Sequence, residues 1–390
     1  MTARPPLRIL ILNWRDPKHP QAGGAETFLF ELATRWARCG HEVLWLTAHF
    51  PHATHTEVLG GISIHRVGGR ATVYFRIPLY YLRNLRGRFD VIIDSENGIP
   101  FFSPLFTTVP KVCLVYHVHK RVFEQHLPFP LSRIFVWLEL SAMPFIYRDD
   151  IFVTISETTR DEMLKYDVTS RDIPIVYSGV ASNLKPGQKS KDPTILYLGR
   201  LKEYKRVDLL LRAMPKIIAA VPEAKLIIAG DGDQKHNLEE LARDLRINSH
   251  VEFFGFVDDK MKAELLSKAW IFATASLMEG WGISVIEANA SGTPAVVADS
   301  PGLNVAVAHQ ISGIVTPVER IGEELLRLLI DHSLRQKLTD GALERAALFS
   351  WDTSAARMLD LLQDVVCKHR GREPAANRAA DRAQSSVRNP

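Results

Sequence analysis

Cysteine is scarce in this chain of 390 residues: Cys39, Cys113 and Cys367 are the only three, and none falls at CxxC or Cys/His spacing. That scarcity fits a reducing compartment, argues against a disulfide framework or a zinc site, and gives a cytoplasmic expectation. Long apolar runs are missing as well. No stretch approaches the ~18 uninterrupted apolar residues of a membrane span, and residues 1–8 are polar and proline-containing rather than signal-like. Any membrane contact should therefore be peripheral, at the inner face. The net charge is only +4, and residues 368–390 hold that whole surplus with six Lys or Arg against two Asp or Glu. A surplus confined to one terminus does not suit nucleic acid as a partner.

With 46% hydrophobic and 24% charged residues, the composition is that of a globular protein. The length predicts two domains, and the pattern agrees. Short aliphatic runs alternate with longer helical patterns: Arg8–Leu12, Ala25–Arg38, Glu42–Thr47, then Val91–Asp94, Val112–Tyr116 and Ile151–Ile155. Such βαβ alternation predicts a parallel sheet covered by helices. Ser178–Pro193, rich in Pro, Gly and Lys, reads as a linker, after which the alternation restarts with Thr194–Leu198, Val207–Ala220, Lys225–Ala229, Val251–Phe254, Ile271–Ala273 and Ala295–Val297. The expected architecture is α/β, with two tandem doubly wound, Rossmann-like domains over residues 1–182 and 183–350. One more helical pattern covers 352–366, and a disordered tail covers 368–390. Ligands of such sheets bind at the carboxyl ends of the strands.

Four constellations sit at or near those ends, and a fifth feature is one of charge spacing. Gly23-Gly24 opens the first helix, where bare backbone and the positive helix end suit a phosphate; a tight turn needing positive φ is the other reading. GxGxxG is absent there, so a dinucleotide fingerprint is excluded. Arg200 and Lys205 flank a short loop after the first strand of the second domain, and their charges suit a diphosphate; solvated surface charge is the other reading. Glu279-Gly280-Trp281-Gly282-Ile283 leads into a helix carrying Glu287, a carboxylate among apolar neighbours that must find a hydrogen-bond donor, such as a vicinal sugar hydroxyl, or face solvent. Tyr116-His117-Val118-His119 ends a strand; in an extended chain its two imidazoles point to opposite faces, so at most one meets a ligand. Finally, no acidic residue lies between Glu57 and Asp90, while Arg66, Arg70, Arg76, Arg83, Arg86 and Arg88 alternate with aromatics. That segment reads as a solvated helix face with its aromatics in the core, as a surface for anionic lipid, or as a holder of an anionic acceptor.

These motifs, in this order, resemble those of the GT-B glycosyltransferases, specifically the retaining family 4, over about Arg8 to Val366. The resemblance implies a transferase that moves a hexose from a nucleotide-diphosphate sugar to a hydroxyl of a lipid-linked or carbohydrate acceptor, in cell-surface glycan or glycolipid synthesis. It implies that Gly23 and Gly24 face the diphosphate and sugar, that His117 lies near the reacting sugar, and that Arg200 and Lys205 hold the diphosphate. It further implies that Glu279 contacts sugar hydroxyls, that Gly280, Trp281, Gly282 and Ile283 present backbone N–H groups, that Glu287 holds the ribose, and that the helix 352–366 crosses back to complete the first domain. Neither a cofactor nor a metal is expected, since the nearest approach to DxD, Asp231-Gly232-Asp233, follows a glycine turn in the second domain. Where many relatives carry Lys-Gly, this chain has Lys205-Arg206. A sugar-nucleotide epimerase and a noncatalytic nucleotide-sugar-binding protein of the same fold are the alternatives.

Overall fold

A computed structural model describes residues 5–372. Its elements fall into two units, each with its own sheet and core. Of the described residues, one unit holds those up to Ile155, Thr159–Tyr177 and those from Asp352 onward; the other holds Ser156–Thr158 and Ser178–Trp351.

The first unit has seven strands: β1 Arg8–Leu12, β2 Glu42–Thr47, β3 Thr56–Leu59, β4 Ile62–Arg66, β5 Val91–Glu96, β6 Lys111–Val115 and β7 Ile151–Thr154. They lie in the order β3-β4-β2-β1-β5-β6-β7, parallel except for β3, which pairs antiparallel with β4. The apolar runs of β1, β2, β5 and β6 are buried almost throughout, as expected of strands covered on both faces. The β3–β4 hairpin at the edge was not expected from the sequence. Its alternating exposure carries a weaker signal, and Gly60 and Gly61 form its turn at positive φ.

The second unit has six parallel strands: β8 Thr194–Leu198, β9 Lys225–Ala229, β10 Val251–Gly255, β11 Ile271–Thr274, β12 Ala295–Ala298 and β13 Gly313–Thr316. Their order is β10-β9-β8-β11-β12-β13, so the sheet reverses its winding direction between β8 and β11. The first sheet does the same between β1 and β5. Such switch points leave a crevice at the strands' carboxyl ends.

The last helix, Trp351–Arg372, is longer than expected. Trp351, Ala355, Met358, Leu362 and Val366 recur at helical spacing and are buried. The helix is anchored in the first unit by Trp36 Nε1 donating to the Ala355 carbonyl at 2.9 Å and by Arg35 Nε donating to Asp352 Oδ1 at 2.6 Å. Residues 368–372, placed by the sequence in a disordered tail, continue this helix, and 373–390 lie outside the described residues. Among the described residues no helix is long and apolar enough to cross a membrane.

Candidate active site

In the first unit, a loop from β1 leads to the helix Gly24–Arg38. Gly23 is its N-cap in an extended conformation, φ −149°, so the tight-turn reading of the glycine pair does not hold. Its N–H donates to Glu26 Oε2 at 2.7 Å, a capping-box contact. Glu26 is fully buried and also accepts from Arg15 Nε at 3.0 Å and Asn97 Nδ2 at 2.9 Å, which joins the loops after β1 and β5. A Cβ on Gly24 would meet nothing within 4 Å, so local packing does not require glycine there.

His117 follows β6 and is half-buried. Its neighbour Tyr116 donates from its hydroxyl to the Ala25 carbonyl at 3.1 Å, which brings the end of β6 to the glycine-led helix. The expected opposition of the two imidazoles fails. β6 stops at Val115 and His119 already has helical φ and ψ as N-cap of Lys120–His126, so the rings of His117 and His119 lie against each other, tilted by 39° with centroids 3.8 Å apart. His119 is buried between Glu96 and Glu139. Burial alone would lower its pKa, but those two carboxylates outweigh it and push it up to about 10. Neither glutamate was singled out in the sequence, because their approach depends on contacts between distant segments.

In the second unit, Arg200 and Lys205 follow β8, and Glu279 follows its sheet neighbour β11. Lys205 Nζ lies 2.5 Å from Glu279 Oε1, both side chains largely covered, with 12% and 20% exposure. Leu277 N–H donates to the Tyr204 carbonyl at 2.8 Å, tying the two loops across the switch point. Arg200 takes a different partner: it is exposed, and its Nη2 donates to the Tyr204 hydroxyl at 3.3 Å. Arg206 adopts φ 53°, a left-handed conformation that glycine takes without strain.

The segment Gly280–Ile283 leads into the helix Ile283–Ala290, whose N-cap Gly282 has φ 70°. Trp281 points into the core, edge-on to Phe349 with centroids 5.2 Å apart. Any ligand contact of this residue must therefore run through its backbone. Glu287 does not face solvent: its side chain is 12% exposed. Lys262 Nζ donates to its Oε1 at 2.9 Å, while burial holds the carboxyl above the usual carboxylate range against the pull of that lysine. Asp233, of the DxD-like triplet, is paired with Lys202 at 2.9 Å.

Two tandem Rossmann-like units, each with polar groups gathered at a switch point, define the GT-B architecture. Sucrose-phosphate synthase of Thermosynechococcus elongatus has a similar fold, with a TM-score of 0.76 at 19% identity, covering 93% of this chain and 100% of that one. HepE of Anabaena, solved with UDP and glucose, is similar with a TM-score of 0.74 at 16% identity, covering 92% and 100%. Residues 22–184 match Glycosyltransferase Family 4, and residues 182–345 match Glycosyl transferases group 1. An uncharacterized glycosyltransferase of Methanocaldococcus jannaschii is 30% identical over 91% of this chain and 97% of its own length. The phosphatidyl-myo-inositol mannosyltransferase of Mycolicibacterium smegmatis is 26% identical over 88% and 90%. The chain belongs to the group 1, family 4 glycosyltransferases.

Proposed function

We propose that this glycosyltransferase moves a hexose from a nucleotide-diphosphate sugar to an acceptor hydroxyl, with retention at the anomeric carbon and without a metal ion at the diphosphate. The observation that carries this reading is the Lys205–Glu279 pair at the β8–β11 switch point. An ammonium has three donors, and Glu279 Oε1 takes one of them, so two remain for phosphate oxygens. The carboxylate accepts from sugar hydroxyls while it fixes the lysine. Arg200, exposed and at the end of the same loop, is the second diphosphate ligand.

In the reaction the bond from the anomeric carbon to the diphosphate oxygen breaks, and the acceptor oxygen bonds to that carbon on the same face. The acceptor proton passes to the departing diphosphate. The demand on the enzyme is to stabilise charge growing on that leaving group. Lys205, Arg200 and the positive end of the helix behind Gly280–Ile283 supply this. The engagement of Asp233 with Lys202 supports a metal-free diphosphate. In this reading Glu287, held by Lys262, accepts from the ribose hydroxyls. In the first unit, the bare backbone of Gly23 and Gly24 faces sugar and phosphate, and His117 meets the reacting sugar. The acceptor is lipid-linked or carbohydrate, the working place is the cytoplasmic side of a membrane, and the product belongs to glycan or glycolipid synthesis.

The test is release of nucleoside diphosphate from a panel of UDP- and GDP-sugars, with and without added magnesium or manganese. The wild type should turn over one of them equally in both conditions, and Lys205→Ala should lose roughly 100- to 1000-fold in kcat while staying folded. A near-parental rate in folded Lys205→Ala, or turnover only with added metal, contradicts the proposal. Accumulation of an epimerised donor would favour the epimerase, and binding without turnover the noncatalytic protein.

A further inference from the structure

We propose that Glu96, His119 and Glu139 form a buried site for one transition-metal dication in the first unit, separate from the diphosphate-binding residues. The three residues come from three elements. Glu96 is the last residue of β5, His119 caps the helix Lys120–His126, and Glu139 sits in a single π-helical turn, Leu138–Ala142. Single π-helical turns within helices are frequent at functional sites. Among the described residues this is the one group of His, Cys, Asp or Glu whose ligand atoms converge, all within 4.8 Å of one another.

The two distances from the imidazole to the carboxylates are those found between ligands of one metal ion. His119 Nδ1 lies 3.1 Å from Glu96 Oε1 and 3.5 Å from Glu139 Oε1. Donors about 2.0 to 2.2 Å from one metal lie roughly 2.8 to 3.6 Å from each other. His119 Nδ1 sits between the two carboxylates, within reach of both, rather than aimed squarely at one of them. Glu96 Oε2 and Glu139 Oε2 are buried without a hydrogen-bond partner. Two carboxylates and one imidazole out of water carry an excess of negative charge, and leaving such oxygens unpaired is costly. A dication answers all three atoms at once.

The surroundings are built as an outer shell. Gly98 N–H donates to Glu96 Oε1 at 3.0 Å, the His119 N–H donates to Glu139 Oε1, and the imidazole lies against both His117 and Phe123. Such contacts orient ligands before the metal arrives. Two oxygens and one imidazole suit zinc, manganese or ferrous iron rather than calcium or copper(I). The metal fastens β5, the segment after β6 and the π-helical turn to one another, so its task is structural: it fixes the turn from which His117 projects.

Full-length protein, purified without metal-affinity resin and dialysed against chelator-treated buffer, is analysed by elemental mass spectrometry. The expected result is about one equivalent of zinc, manganese or iron per chain. Wild-type protein stripped with dipicolinate is then titrated with zinc, manganese and cobalt. It should bind one equivalent saturably and melt at a higher temperature when loaded. Glu139→Gln and His119→Gln, checked for folding by circular dichroism, should lose that binding; if they do not fold, the wild-type titration decides alone. Folded wild type with neither bound metal nor saturable binding, or binding undiminished in the folded variants, overturns the site. Because the readout is metal content, the result is independent of sugar transfer.

Discussion

Lys205 and Glu279 are separated by many residues in sequence and by one sheet position in space. Their types and their placement after strands were legible as chemistry; their pairing was not, because it depends on which strands are neighbours. Glu287 shows the same boundary. An acidic residue among apolar helix neighbours signals a partner, but the partner, Lys262, lies on the preceding helix, Asp259–Lys268, and only packing reveals it. Arg66, grouped by sequence with surface arginines, is buried and paired with Asp16 at 2.7 Å and Glu57 at 3.0 Å. Lys189 carries a residue-scale prediction. Burial lowers its pKa from 10.5 to about 8, with its Nζ on the Thr293 hydroxyl at 2.7 Å. Between pH 8 and 10.5 the folded chain thus holds fewer protons than the unfolded one, so this lysine's penalty is full below about 8 and fades as pH rises toward 10.5. The melting temperature of the wild type should rise relative to that of Lys189→Met between pH 7.5 and about 9.5; parallel curves would contradict the assignment.

At the scale of elements, buried parallel strands announce themselves as uninterrupted aliphatic runs, and Arg8–Leu12, Glu42–Thr47, Thr194–Leu198 and Lys225–Ala229 are found at the expected bounds. The edge hairpin β3–β4 and β13 are short and were not expected, and the turn after β6 was read as extended because nothing local marks where a strand stops. The Gly302 loop after β12 shows how an element is held by one residue. Gly302 has φ 83°, and a Cβ there would lie 2.0 Å from the Glu279 carbonyl oxygen. Gly302→Ala should therefore displace the Glu279 segment, lowering stability by about 2 kcal/mol or more and cutting turnover, as read by denaturation and nucleoside diphosphate release. An unchanged variant would mean that this contact does not position Glu279. The helix Val73–Asn84 buries Val73, Ile77 and Tyr81 and leaves Phe75, Leu79 and Leu82 exposed beside Arg76 and Arg83. Flotation with vesicles containing anionic lipid should retain the wild type and fall severalfold for Arg76→Glu/Arg83→Glu/Arg86→Glu. Equal flotation of both would assign this face to solvent.

For the whole molecule, the two sheets repeat one plan, with winding reversed between β1 and β5 in one and between β8 and β11 in the other. That plan was legible because the strand-helix rhythm stops at a Pro- and Gly-rich linker and then restarts. The return of the last helix to the first unit rests on the Trp36–Ala355 contact, which no local pattern announces. In the proposed function this plan serves transfer with retention. Retention is tested most directly by proton NMR of the anomeric signal during turnover of an α-linked nucleotide sugar, with an acceptor or with water. The first-formed product should carry the α-anomeric proton, identified by its one-bond carbon–proton coupling, which separates the anomers of mannose as well as of glucose, in step with nucleoside diphosphate release. A β-anomer formed first would contradict the account.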